Sequence, residues 1–210
     1  MKTNHNFIKI LMSSLLLGIV ILGTTAFRTI YEGKVVYKTD LKKSNVAWIG
    51  RGEIGDYSLS GNIKLSEGML IIENEQVKGG EFMIDMNTIN CTSLSGMKKL
   101  TLIEHLKGED FFEVAKFPKT IFKITNITQL VGEEHRFNVT GKLTIKGITN
   151  NIFFPATIKK DGSNVSVKAV LKVDRTKYNI TYHSPSFFDN LKDDYIKNEF
   201  DISLDIVGNQ

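Results

Sequence analysis

Phe137-Asn138-Val139-Thr140-Gly141-Lys142-Leu143-Thr144-Ile145-Lys146 alternates in polarity over ten residues. Successive side chains of a strand point to opposite faces, so this pattern describes a strand with one dry and one wet side. Working outward, Gly147 opens a turn and Asn151 to Ile158 runs back. Asp161-Gly162 turns again into Val165 to Leu171, and Phe200 to Ile206 separates each apolar residue by Asp or Ser. Upstream, Thr120 to Ile127 places Phe122 and Ile124 on one face. Val35 to Tyr37 and Asn45 to Ile49 read as short strands, the second with Val46 and Trp48 on one side. Tyr57 to Leu65 alternates over nine residues; Glu67-Gly68 is then expected to turn the chain, with Met69 to Ile72 running back and Gly79-Gly80 preceding Glu81 to Met86. These are hairpin signals, and they predict an all-β, antiparallel protein of about eight strands.

One stretch breaks the alternation. Leu100, Leu102, Ile103 and Leu106 recur at near-helical intervals, which predicts a short helix near residues 96–107. Ser95 is placed to cap its start and Gly108 to end it.

Composition narrows the function. The chain has 210 residues, 41% hydrophobic and 24% charged, an ordinary globular balance. A single cysteine, Cys91, excludes an intramolecular disulfide framework and is expected to be buried in a strand. The four histidines, His5, His105, His135 and His183, have no metal-ligand spacing, and no phosphate-binding glycine loop is present. Residues 1–26 read as a secretory signal: Lys2 and Lys9 bracket a polar start, Ile10 to Leu22 is an uncharged apolar run, and Thr24-Thr25-Ala26 suits cleavage near Ala26. The run is short for a membrane span. The product, 27–210, is expected to be periplasmic or secreted, and losing Lys2 and Lys9 lowers its net charge from +4 to +2. Basic and acidic residues are interspersed, so nucleic acid is not an expected partner.

Three further segments are specific. They are His105-Leu106-Lys107-Gly108-Glu109-Asp110-Phe111-Phe112 running on to Phe117-Pro118-Lys119-Thr120, then Val139 to Thr149, and then Val173-Asp174-Arg175-Thr176-Lys177-Tyr178-Asn179-Ile180. In this order and spacing the chain resembles the YceI-like family of exported proteins, from about Tyr37 to Ile206. The resemblance implies one domain over 27–210, a closed eight-stranded lipocalin-like barrel associated with polyisoprenoids or other long apolar molecules. Closure would also remove exposed strand edges.

On that frame the expected ligand-binding residues are Trp48, Phe82, Leu106, Phe111, Phe112, Phe117, Phe122, Ile124, Leu143, Ile145, Arg175 and Tyr178. The rings offer large apolar area at low entropic cost. Arg175 reads either as the partner of an ion pair or as an anchor for a polar head, and Tyr178 offers a hydroxyl beside it. His105 is expected to hydrogen-bond to backbone near the helix end. A buried methylene contributes roughly 0.8 kcal/mol, so ten give about 8 kcal/mol before association costs. Length and hydrophobicity therefore select the cargo, a long-chain amphiphilic lipid, isoprenoid or quinone-like. No local motif pairs a nucleophile with a base, so an enzyme is not expected, and no cofactor is implied. A filled, ligand-free structural or interaction barrel is the alternative, and an enzyme acting on an isoprenoid lipid the less favoured one; a peripheral encounter with a membrane and a homodimer remain open.

Overall fold

Alternating faces build nine strands in the computed structural model, which describes residues 33–190 and 194–210. In chain order they are β1 (Lys34–Thr39), β2 (Asn45–Arg51), β3 (Ser58–Glu73), β4 (Gln76–Cys91), β5 (Lys119–Gln129), β6 (Arg136–Ile145), β7 (Ile148–Asp161), β8 (Asn164–Asp174) and β9 (Glu199–Asn209). Helix α1 (Gly96–Lys107) lies between β4 and β5, and one 3-10 turn, Arg175–Tyr178, follows β8. The proposed signal sequence, with Ala26, falls outside the described residues, as do Leu191 and Asp193.

Each strand from β2 to β9 pairs antiparallel with the next, and β9 pairs back on β2 through Val46↔Leu204 and Trp48↔Ile202. The sheet is therefore a closed eight-stranded barrel. Strand β1 is additional. It pairs with the end of β9 through Thr39↔Gly208 and neighbours β3. The jog between β1 and β2 is stitched to β9: Asp40 N–H donates to the Val207 carbonyl at 2.8 Å, and Ser44 Oγ accepts the Val207 N–H at 3.0 Å.

The expected turn at Glu67-Gly68 does not occur. β3 and β4 form one long hairpin of two 16-residue strands, and Gly79-Gly80 sit inside β4. The alternation slips because the register shifts between Leu65↔Ile84 and Glu67↔Met83, leaving Ser66 as an extra residue. A bulge of this kind breaks the period without ending the strand. The chain turns instead at Asn74-Glu75, both at positive φ (50° and 62°) although neither is glycine.

The inward face carries Phe82, Ile84 and Met86 on β4, Val139, Leu143 and Ile145 on β6, and Phe200, Ile202, Leu204 and Ile206 on β9. Two glycines on this face shape it. A Cβ at Gly61 would run into the Trp48 indole, and one at Gly141 into the Phe122 ring. Each glycine vacates the space that a neighbouring strand's aromatic ring occupies. Cys91 is fully buried at the end of β4.

The two ends of the barrel differ. Links 74–75, 130–135 and 162–163, none longer than six residues, close one end; links 52–57 and 146–147 and the two long ones, 92–118 and 175–198, gather at the other. Helix α1 belongs to the second end. Ser95 stands at its start but makes no side-chain cap, and Gly108 ends it in an extended conformation, donating to the His105 carbonyl. Of its residues only Leu106 is buried; Met97 and Leu100 face solvent.

Candidate functional site

The barrel is not filled. It encloses a cavity of about 600 Å³ whose wall is overwhelmingly apolar. Phe122, Ile124, Ile202 and Leu204 point inward yet are only half-buried, because they border this space rather than packed atoms. Wall residues that are strongly exposed, among them Ile54 (55%) and Tyr57 (62%), all lie at the long-link end: Asp194, Lys197 and Glu199 complete the set. The access route is therefore at that end.

The connection from β8 to β9 crosses this end and is tied down from both sides. The Lys197 N–H donates to the Arg51 carbonyl and the Glu53 N–H to the Tyr195 carbonyl, while Ile196 bridges to Gly52. Beneath it lies Arg175, only 2% exposed. Its Nε donates to the Lys197 carbonyl (3.1 Å), one terminal nitrogen to Ile180 (2.9 Å) and the other to Ile196 (2.9 Å). One guanidinium thus ties two backbone segments together, at Ile180 and at Ile196-Lys197, as its planar fork of donors permits. Asp174 is not its ion-pair partner; that carboxylate accepts from the Thr176 N–H and hydroxyl and caps the 3-10 turn. Burial pushes the guanidinium down to about 10, partly opposed by the charge of Asp174, so it remains a cation at neutral pH.

An aromatic corner surrounds it. The Phe111 centroid is 5.8 Å from the guanidinium carbon and 5.4 Å from the His105 ring, which packs edge-on against Tyr182 at 4.4 Å. Tyr182 stacks on His183 at 4.0 Å. Burial holds His105 below the ordinary imidazole range; Asp110 opposes this and His183 reinforces it. The expected bond from its ring to backbone is not made at Nε2, which is buried without a partner among the described residues, as is Trp48 Nε1. Each such orphan costs about 1–3 kcal/mol.

Of the twelve residues anticipated from sequence, Trp48, Phe82, Leu106, Phe111, Phe112, Phe122, Ile124, Leu143, Ile145 and Arg175 line the cavity. Two do not. Phe117 packs against Gly147 in the β6–β7 turn, with Lys116 Nζ 5.1 Å above its ring, and so fastens the 92–118 link to the barrel from outside. Tyr178 is buried in the core behind the wall, and burial, followed by the nearby charge of Asp174, pushes its hydroxyl up to about 12. Ile54, Tyr182 and His183 also line the space and were not anticipated, since they sit in links where no periodicity points inward; Tyr57, the first residue of the alternating run to Leu65, lines it too and was not singled out.

Residues 37–208 match the YceI-like domain. The chain belongs to the YceI-like family. Among curated relatives, this YceI-like chain is 28% identical to a UPF0312 protein of Enterobacter sp. (strain 638) over 73% of its own length and 76% of the relative's. It is 25% identical to Protein YceI of Salmonella arizonae over 59% and 64% of the two chains. For a Pseudomonas putida UPF0312 protein, at 24% identity, the match spans 55% of the relative's length. Among solved structures, Burkholderia cenocepacia BcnA superposes with a TM-score of 0.63 at 22% identity, covering 80% of this chain and 98% of that one. A polyisoprenoid binding domain from Saccharophagus degradans superposes with a TM-score of 0.60 at 12% identity, covering 82% and 97%. At these identities the structural neighbours establish the shared YceI-like fold.

Proposed function

We propose that the protein binds and carries a long-chain amphiphilic lipid, isoprenoid or quinone-like, with its tail inside the barrel. One observation carries this reading: an apolar cavity of about 600 Å³ inside the barrel, open at the end where Ile54 and Tyr57 lie. A liquid water occupies about 30 Å³, close to one chain carbon, so the space suits a tail on the order of 20 carbons. At roughly 0.8 kcal/mol per methylene the gross gain is about 16 kcal/mol. Even a loss of about 8 kcal/mol to association and ordering leaves micromolar binding. The Saccharophagus neighbour, a polyisoprenoid binding domain, supports the choice of ligand class.

In this reading residues 1–26 direct export and are removed near Ala26, and the barrel works in a periplasmic or extracellular aqueous phase. Its cargo exchanges at a membrane surface, past the exposed apolar pair Ile54 and Tyr57. Binding, rather than turnover, is the activity.

The test is direct. Delipidated protein is incubated with a total lipid extract, washed and analysed by native mass spectrometry. A retained long-chain species is the expected result; repeated recovery of the empty chain overturns the proposal. N-terminal sequencing of the exported product checks cleavage.

A further inference from the structure

Resting on that reading, we infer that the cavity is a blind tube that measures tail length: it takes single-chain amphiphiles up to a limiting length, with the head left in water at the open end. The deciding observation is where the vacant space stops. Inward-facing residues along a strand come two apart, so around the barrel they form layers. On β3 Leu70 lines the cavity and Ile72, the next inward residue, does not; on β8 Val167 does and Val165 does not. The same step separates Val139 from Phe137 on β6 and Ile206 from Gly208 on β9. The space therefore ends one layer short of the turns at 74–75 and 162–163, and the buried Ile72 and Val165 belong to its floor.

The additional strand seals that floor from outside. Tyr37 of β1 is only 1% exposed. Its hydroxyl donates to the Gly162 carbonyl at 3.3 Å and accepts from Gln210 Nε2 at 3.2 Å, while the Gln210 N–H donates to the Ser163 carbonyl at 3.1 Å. Gly208 admits this packing, since a Cβ there would crowd Val165 and the Lys38 carbonyl. Strand β1, which closure of the eight-stranded ring does not need, thus works as a stopper. A tail that reaches Ile72 and Val165 meets packed atoms, and overfilling a packed layer is unfavourable. Further methylenes stay at the other end, in water, where they contribute nothing. The head stays there too: an apolar floor gives a polar group no partner, and the open end presents exposed charges of both signs to solvent, Lys197, Asp194 and Glu199.

The test measures affinity against tail length for the full delipidated chain. Two straight-chain series, alkyl alcohols and alkyl carboxylates, are delivered from cyclodextrin and read by displacement of a fluorescent apolar probe. Each added carbon should tighten binding about fourfold up to the limit and not beyond it. By volume the limit falls on the order of 20 carbons. Both series should break at the same length, because the head is outside in each. Val167→Phe, which puts a ring into the vacant space one layer above Val165, should move the break to shorter tails. Ile124→Phe, at another half-buried wall position, makes the same test should that variant fail to fold. Affinity indifferent to length, affinity that climbs without a break, a break that differs between the two heads, or a break that neither variant moves overturns the length limit while leaving carriage standing. Failure of both series to displace the probe at any length overturns the carrier reading itself.

Discussion

The two ends of this barrel are made from the same strands and do different work. At the short-turn end the strands are joined by tight links such as 74–75 and 162–163, and β1 is laced onto β9 through Asp40 and Ser44. At the other end the long links carry the helix, the connection across the mouth, the buried cation and an orphaned imidazole nitrogen. The difference teaches that a closed barrel supplies a container, whereas its chemistry is added where connections are long enough to fold over the opening.

The strongest way to break this comparison is to cut the brace on each side. Arg175→Ala leaves the carbonyls of Ile180, Ile196 and Lys197 without their donor and should cost about 3–5 kcal/mol in urea unfolding. Ser44→Ala, which loses one stitch at the other end, should cost about 1 kcal/mol. Equal losses would mean that the mouth is not specially braced.

A second pair separates the wall from the outside of the same sheet. Gly141→Val drives a side chain into Phe122 and should cost about 1–3 kcal/mol by overpacking, with reduced lipid capacity in native mass spectrometry. Gly79→Ala meets open space and should change stability by less than about 0.5 kcal/mol. If both behave alike, the cavity wall is not packed as described.

pH sharpens the contrast further. Burial keeps the folded-state pKa of His105 below the unfolded value of 6.5. As pH falls through 6.5 the unfolded chain takes up a proton that the folded chain resists. Stability is therefore present above that value and declines below it. Thermal melts should show this slope in the native chain and less of it in His105→Phe. An unchanged slope would move the titration elsewhere.

The smallest effect is optical. Trp48 is the only tryptophan and faces the cavity. Its emission should shift to shorter wavelength as lipid fills the space. Absence of a shift on saturation would place the ligand away from β2.

Much of the wall was legible because burial on one face of a strand imposes a period of two. Phe122 and Ile124, and Leu143 and Ile145, fall on the cavity side as their alternation required. The reading slipped at Ser66, where one bulged residue imitates a turn signal beside Gly68. Phe117 looked like its neighbours Phe111 and Phe112, yet it faces the β6–β7 turn, because a link between elements has no fixed period to say where its rings point. Arg175 was open between an ion pair and a head-group anchor; in the fold it holds three carbonyls, that of Ile180 just after its own turn and those of the adjacent Ile196 and Lys197.

Local sequence, then, determined the strands, the helix between β4 and β5, and which residues share a face, since these follow from nearest-neighbour geometry and the need to hide apolar surface. Tertiary structure alone decided that the ring closes around vacant space, that Trp48 and Phe122 fit over Gly61 and Gly141, and that a histidine and an arginine seventy residues apart border one phenylalanine. Those outcomes depend on distances between segments far apart in the chain, and no pattern within a single segment encodes them.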